Sequence, residues 1–425
     1  MDPSAANSAT AAPSRYVLRC MPNRCEFPST SPGLVCANCG GPLEAEYDYE
    51  ALRSAHGGLP VDGSKTGVWR YSPLLPLNPS TRAVTLGEGG TPLVRASALA
   101  ELVGLDRVFV KDESRNPTLS FKDRKSTVAV TKAAEFGATG IANMTAGNAG
   151  SSVAAYSARA GIPAYVFTIE GISDSKLAKL LSYGARVFRT RVPTKEILAF
   201  VDQVARRYGM VNMIAASRYN PYVKEGAKTS VFEVYEQLGG SLPDWMIVPI
   251  GGGGNLAGIY KGLRELRSLG LIERLPRLVG VQGRDCAPVV EAFQRGLPPD
   301  QIPVVKDPRT IAHSILDSWA PDGDQALTAI RESGGLALGV TDEEMLESMK
   351  TLSSKEGLYL EPASAAPLAA LWKLLADGTV GADESVLLLA TGSGANQPDA
   401  TISAWGRPPE IELDLEGFAR YLVAR

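Results

Sequence analysis

From about residue 100 onward, short apolar runs alternate with longer stretches whose apolar residues recur at helical spacing. The runs at 107–111, 140–144, 164–169, 186–189, 211–215, 245–250, 278–282 and 385–390 predict strands. Amphipathic spacing at 149–160, 174–182, 195–208, 224–238 and 342–355 predicts helices. Strands that are apolar throughout are buried on both faces, the signature of parallel sheets covered by helices. This many strands over this length imply two α/β units rather than one large sheet. A stretch near 305–325, rich in Pro, Asp and Gly, reads as a break, and the last residues, after 409, read as a short closing strand or helix.

Composition narrows the class. The 425 residues leave room for two or three domains. The 44% hydrophobic and 21% charged residues are ordinary for a soluble globular chain. A net charge of −3 argues against a sequence-independent nucleic-acid binder. No window approaches the ~20 apolar residues that span a bilayer. With His56 and His313 the only histidines, a Ser-His-Asp triad or a histidine-rich metal centre is a poor fit. Residues 1–14 are small and polar, without the basic start and apolar run of a signal peptide. A disordered tail and a cytoplasmic protein are expected.

Cys20, Cys25, Cys36 and Cys39 lie close together, and Cys36-Ala-Asn-Cys39 has the two-residue spacer of a zinc knuckle. The first pair has a looser four-residue spacer. A structural zinc in a ribbon-like module over 15–48 stands beside a ribbon whose thiols are unliganded. Cys286 stands alone and reads as a small buried hydrophobe.

Glycine-rich loops follow predicted strands at 146–150, 251–255 and 391–396, and another lies at 87–92. Gly251, Gly252, Gly253, Gly254 and Asn255 follow a strand and open a helix, the arrangement in which free amides cradle a phosphate. The same loop weakly matches a dinucleotide pattern, although no carboxylate ends the next strand. Packing glycines are the third reading. The segment around Lys122 holds the sharpest candidate. Ser120 at the N-cap would put Lys122 in a first helical turn, where the dipole disfavours a cation. Lys122 is then either a solvated surface lysine or an amine of depressed pKa poised to form a Schiff base.

Several motifs taken in order resolve these alternatives by resemblance. They are Leu-Gly-Glu-Gly-Gly-Thr-Pro-Leu (86–93), Asn-Pro-Thr-Leu-Ser-Phe-Lys-Asp-Arg (116–124), Ala-Gly-Asn (146–148), Asn-Pro-Tyr (220–222), Glu-Gly-Ala-Lys-Thr (225–229), Gly-Gly-Gly-Gly-Asn (251–255), Glu-Pro-Ala-Ser-Ala-Ala (361–366) and Thr-Gly-Ser-Gly (391–394). From the cysteine ribbon to about residue 400, the chain resembles the threonine synthase branch of the fold type II pyridoxal-phosphate enzymes. The resemblance implies two three-layer α/β domains with mostly parallel sheets and the cofactor between them. The smaller domain would span about 125–235 within a catalytic region of 49–425. It also implies roles. Lys122, beside Phe121, would carry pyridoxal 5'-phosphate and move protons. The Gly251–Asn255 loop would hold the phosphate, Asn148 the ring oxygen and Thr391 the ring nitrogen.

The chain departs from the family pattern at several positions. Leu119 and Lys125 stand where the lysine loop has glycines. Ala146 and Ala149 flank Gly147-Asn148 where hydroxyls are usual, with Thr145 before them. Val223 follows Asn220-Pro221-Tyr222 where arginine is usual. These changes point to an elimination–replacement enzyme for a phosphorylated amino acid with altered substrate choice. Arg218, Lys224, Lys228 and Lys125 are candidates to receive the substrate phosphate. Threonine synthase proper, β-replacement on phosphoserine, hydroxy-amino-acid dehydration and a non-catalytic relative are the alternatives. A homodimer acting on a small amino acid, without nucleic-acid or membrane partners, is expected.

Overall fold

The computed structural model describes residues 16–423 except 31, 32, 146, 171, 193 and 412. The expected tail at 1–14 and Ala146 therefore lie outside the described residues. Three short strands, β1 (Tyr16–Cys20), β2 (Glu26–Pro28) and β3 (Leu43–Tyr47), form an antiparallel sheet in the order β2-β1-β3. Ten more follow: β4 (Leu93–Arg95), β5 (Arg107–Asp112), β6 (Ile141–Met144), β7 (Ala164–Ile169), β8 (Arg186–Thr190), β9 (Val211–Asn212), β10 (Trp245–Pro249), β11 (Arg277–Gly283), β12 (Leu336–Val340) and β13 (Ser385–Ala390). One sheet has six strands in the order β12-β11-β10-β13-β5-β4; the other has four in the order β8-β7-β6-β9. Every pairing in these two sheets is parallel except β4 with β5. The continuous apolar runs explain this: β10 and β13 are buried at every position, which only a sheet covered on both faces allows.

All eight predicted strands are present, and the two unpredicted members of these sheets, β4 and β12, are edge strands. An edge strand buries less; three of the five positions of β12 are only half-buried, which leaves a weak apolar signal. The helix expected over 224–238 is two, Tyr222–Ala227 and Thr229–Gln237. The 305–325 stretch is not a break in the fold. The strands on either side of it, β11 and β12, pair in register within one sheet. The closing element is a helix, Leu415–Val423. Among the described residues, no helix is long and apolar enough to cross a membrane.

The small antiparallel sheet is clamped to the larger body by buried charge. Glu44 of β3 pairs with Lys224 at 2.6 Å and Arg264 at 2.7 Å. Tyr47 donates to Glu225 at 2.8 Å, and Lys261 donates to the carbonyl of Ala45 at 2.8 Å. Lys228 lies between Glu225 (2.6 Å) and Glu265 (2.9 Å) with its ammonium over the Tyr47 ring. Buried charges are tolerated only when paired in this way.

Candidate active site

Lys122 opens the helix Lys122–Glu135, whose N-cap is Phe121. Ser120, expected at the N-cap, is fully buried, its hydroxyl has no partner, and its backbone bridges to Gly392. The lysine loop is stitched to the loop after β13: Phe121 N–H donates to the Thr391 carbonyl at 2.9 Å, and Ser393 N–H to that of Leu119 at 3.0 Å. The helix is fixed from below. Arg124, fully buried, donates to Glu113 at 2.7 Å and Glu233 at 2.6 Å, while Lys111 pairs with Glu233 at 2.7 Å. Gly226 explains a glycine in the Glu-Gly-Ala-Lys-Thr motif. A Cβ there would collide with the Arg124 carbonyl, so only glycine lets the helix Tyr222–Ala227 cross this close.

Above this base lies a cavity of about 460 Å³. One wall is the loop Gly251–Gly254 with Asn255, between β10 and the helix Gly254–Ser268. Gly253 has φ +89°, and a Cβ there would sit 2.5 Å from the carbonyl oxygen of Asp322, so glycine is required for both reasons. The opposite wall is Thr145, Gly147, Asn148 and Ala149 at the start of the helix Asn148–Ala160. Thr391 closes the end of β13, its hydroxyl 2.9 Å from that of Ser364. Pro308 and residues 313–319 form the remaining side.

Lys122, Lys125 and Asp317, which line this space, and Glu361, bonded to the lining residues Ser314 and Asn148, depart from their ordinary behaviour. Burial lowers the Lys122 pKa, against the opposing pull of Asp317, Glu361 and Asp322. The direction matches expectation, but the cause is loss of water. Burial, helped by the Lys122 charge, lowers the Lys125 amine to about 7. Burial raises both Asp317 and Glu361. Asp317 accepts the Gly252 N–H, and Glu361 accepts Ser314 Oγ at 2.5 Å and the Asn148 amide at 3.1 Å.

Lys122, Phe121, Asn148, Gly251, Gly252, Gly253, Gly254, Asn255, Thr391, Thr145 and Lys125 thus line one cavity. Other expectations are corrected. Lys224 and Lys228 line no part of it; both are consumed in the ion pairs that hold the small sheet. Arg218 also stays out, donating to the Pro321 carbonyl at 3.0 Å behind the cavity residue Trp319. Leu119, which stands where the family has glycine, does not reach the cavity and holds a left-handed φ of +68°. The Thr145 hydroxyl is occupied with its own loop, accepting from Gly147 and Gly150 at 3.0 and 3.1 Å. Asp317, Ser314 and Lys176 were missed. For Asp317 and Ser314 the available signal was the length of the 305–325 stretch, since long irregular connections inside a compact fold usually serve a site; Lys176 lies on the helix Asp174–Ser182 and had no such signal.

In the ribbon, the thiols of Cys20, Cys36 and Cys39 lie within 4.8 Å of one another. Cys25 is not in that group; its thiol points toward the Asn23 carbonyl at 3.9 Å. Burial raises the Cys36 thiol, but N–H donors from Cys39 and Asn38 outweigh it and bring it to about 7. Cys286 is fully buried.

The family model for pyridoxal-phosphate dependent enzymes matches residues 84–392. The chain belongs to this family. It is 41% identical to the threonine synthase of Methanocaldococcus jannaschii over 392 residues, 92% of this chain and 95% of that one. It is 38% identical to the threonine synthase of Methanosarcina acetivorans over 416 residues, 96% of this chain and 99% of that one. Maize serine racemase shares the fold at a TM-score of 0.62 and 20% identity, covering 74% of this chain and 91% of that one. Diaminopropionate ammonia lyase of Escherichia coli shares it at 0.65 and 18%, covering 76% and 89%. The family enzyme is thus a fold type II pyridoxal-phosphate lyase with mixed, mostly parallel sheets. Its cofactor suits the cavity. The half-buried Lys122 amine, an amide-lined glycine loop and the unpartnered, buried Asn255 amide all face this space.

Proposed function

We propose that this enzyme is a threonine synthase, converting O-phosphohomoserine and water to threonine and phosphate. The observation that carries the reading is coverage. Relatives named threonine synthase match 92% and 96% of the chain, well beyond the catalytic cavity. The cavity chemistry supports it: three amines, Lys122, Lys125 and Lys176, face one space, Lys122 for the covalent link to the cofactor and the other two for the anionic groups of cofactor and substrate. Lys122 would carry the cofactor covalently and move the protons at Cα and beyond. When bound, pyridoxal phosphate supplies the electron sink for these steps. The Gly251–Asn255 loop would hold its phosphate, with Asn148 and Thr391 at the ring.

The altered-substrate expectation rested on Leu119, Lys125, Ala146, Ala149 and Val223. Leu119 lies outside the cavity, and backbone amides at the start of the helix Asn148–Ala160 remain as donors for a carboxylate. Threonine synthase itself is therefore the better reading. Steady-state kinetics with O-phosphohomoserine should give kcat/KM of about 10⁴ M⁻¹s⁻¹ or more, with threonine as product. Higher kcat/KM on O-phosphoserine, or on threonine by dehydration, would overturn it.

We also propose that the ribbon, residues 15–48, holds one structural zinc. Cys20, Cys36 and Cys39 supply three thiolates, and the fourth place falls to Cys25, on the same knuckle as Cys20.

A further inference from the structure

Lys125 stands three residues after Lys122 on the same helix and faces the same cavity. It is 3% exposed. A lysine this buried is almost always paired. Yet among the described residues Lys125 makes no hydrogen bond and no ion pair; its ammonium lies only over the edge of the Phe121 ring, 5.4 Å from the centroid. The nearest carboxylate, Asp322, is committed elsewhere, accepting Ser217 N–H and Oγ at 2.8 Å and Arg218 N–H at 3.2 Å. The Lys125 Nζ lies 3.1 Å from where a Cβ of Gly254 would stand, against the first residue of the helix Gly254–Ser268. The amine thus flanks a row of helix N-terminal amides, and the nearby Asn255 side-chain amide is also buried without a partner.

We propose that Lys125 is the fixed counter-charge for the cofactor's phosphate. The inference rests on the reading of the Gly251–Asn255 loop as the phosphate cradle. A dianion there would meet amide dipoles on one side and an ammonium on the other, and would restore the ion pair that burial has denied the lysine. Phosphate binding and Lys125 protonation are then one coupled event. Lys122 forms the covalent link and Lys125 the ionic one, within the first turn of one helix.

The test compares pyridoxal phosphate with pyridoxal, which lacks the phosphate, in equilibrium binding to the full chain. Lys125→Gln should weaken pyridoxal phosphate about 10- to 100-fold, the worth of one charge-assisted hydrogen bond, and leave pyridoxal unchanged. Lys125→Arg should recover most of the loss. Equal weakening of both ligands, or of neither, overturns the proposal. So does an intact cofactor affinity with a raised KM for O-phosphohomoserine, which would assign Lys125 to the substrate. If the wild-type chain binds pyridoxal phosphate no better than pyridoxal, the cradle reading itself fails. Should Lys125→Gln not fold, wild-type chain with ¹⁵N-labelled lysine side chains decides. One Nζ resonance should move with pyridoxal phosphate and stay still with pyridoxal; no such resonance overturns the proposal.

Discussion

Replacing Lys224 by Met separates a structural lysine from a substrate-binding one. The Lys224 ammonium is 2.6 Å from Glu44 and 2.8 Å from the Gln325 side-chain oxygen Oε1, with side-chain exposures of 2% and 7% for Lys224 and Glu44. At that distance and an effective dielectric of about 20, the attraction is about 6 kcal/mol before the cost of desolvating both ions. Burial pushes the Glu44 pKa up, but the charges of Lys224, Lys261 and Arg264 outweigh it and hold the carboxyl well below its usual range. Methionine keeps the volume and removes the charge. Breaking a buried pair costs about 3–5 kcal/mol, and the Arg264 contact that remains places this case near 3. With a urea slope of about 3 kcal/mol/M, the unfolding midpoint should fall by about 1 M. Adding Glu44→Gln should return part of the loss, because the stranded carboxylate is then gone. KM for O-phosphohomoserine should not move. A tenfold rise in KM with an unchanged midpoint would refute the reasoning and return Lys224 to the substrate site.

Lys122→Ala should abolish the borohydride-reducible cofactor adduct and reduce turnover by at least about 10²-fold, the scale of a lost acid–base group, as read by mass spectrometry and phosphate release. Asp123 is pushed up to about 6 by burial, against hydrogen bonds from Ser152 and Thr118. Between pH ~4 and ~6 the folded state therefore binds more protons than the unfolded one, and stability falls as pH rises through that window, by about 3 kcal/mol. Asp123→Asn should remove this slope from urea midpoints measured at successive pH values. Metal analysis of unchelated protein should give about one zinc per chain, and removing the metal should lower the unfolding midpoint while the loaded cavity keeps its chemistry.

The two large sheets were legible because their signal is local. A strand covered on both faces is apolar at most positions, and β10, β11 and β13 could be read from their own residues. The phosphate loop was equally plain, since glycines between a buried strand and a helix leave few physical uses. Elements without a clean local pattern escaped. The helix Pro362–Ala376 is buried on nearly all sides and carries Pro367 inside it, so despite its Ala- and Leu-rich composition it shows no amphipathic spacing. The 305–325 stretch has the composition of a linker, and only its return to the cavity reveals it as a wall.

Lysine roles show where sequence stops. Lys122, Lys125, Lys224 and Lys228 are one residue type at helix positions, and the charge pattern around each is unremarkable. Position three residues past Lys122 was enough to put Lys125 on the same helical face. Nothing local tells Lys224 that Glu44, from a sheet far earlier in the chain, will meet it, or that Lys228 will be enclosed by Glu225, Glu265 and the Tyr47 ring. Whether a lysine binds substrate or holds the fold depends on which opposite charge reaches it first. That partner is chosen by the packing of distant elements, so the sequence by itself determined the cofactor chemistry, and the tertiary structure alone decided which amines were left free to serve it.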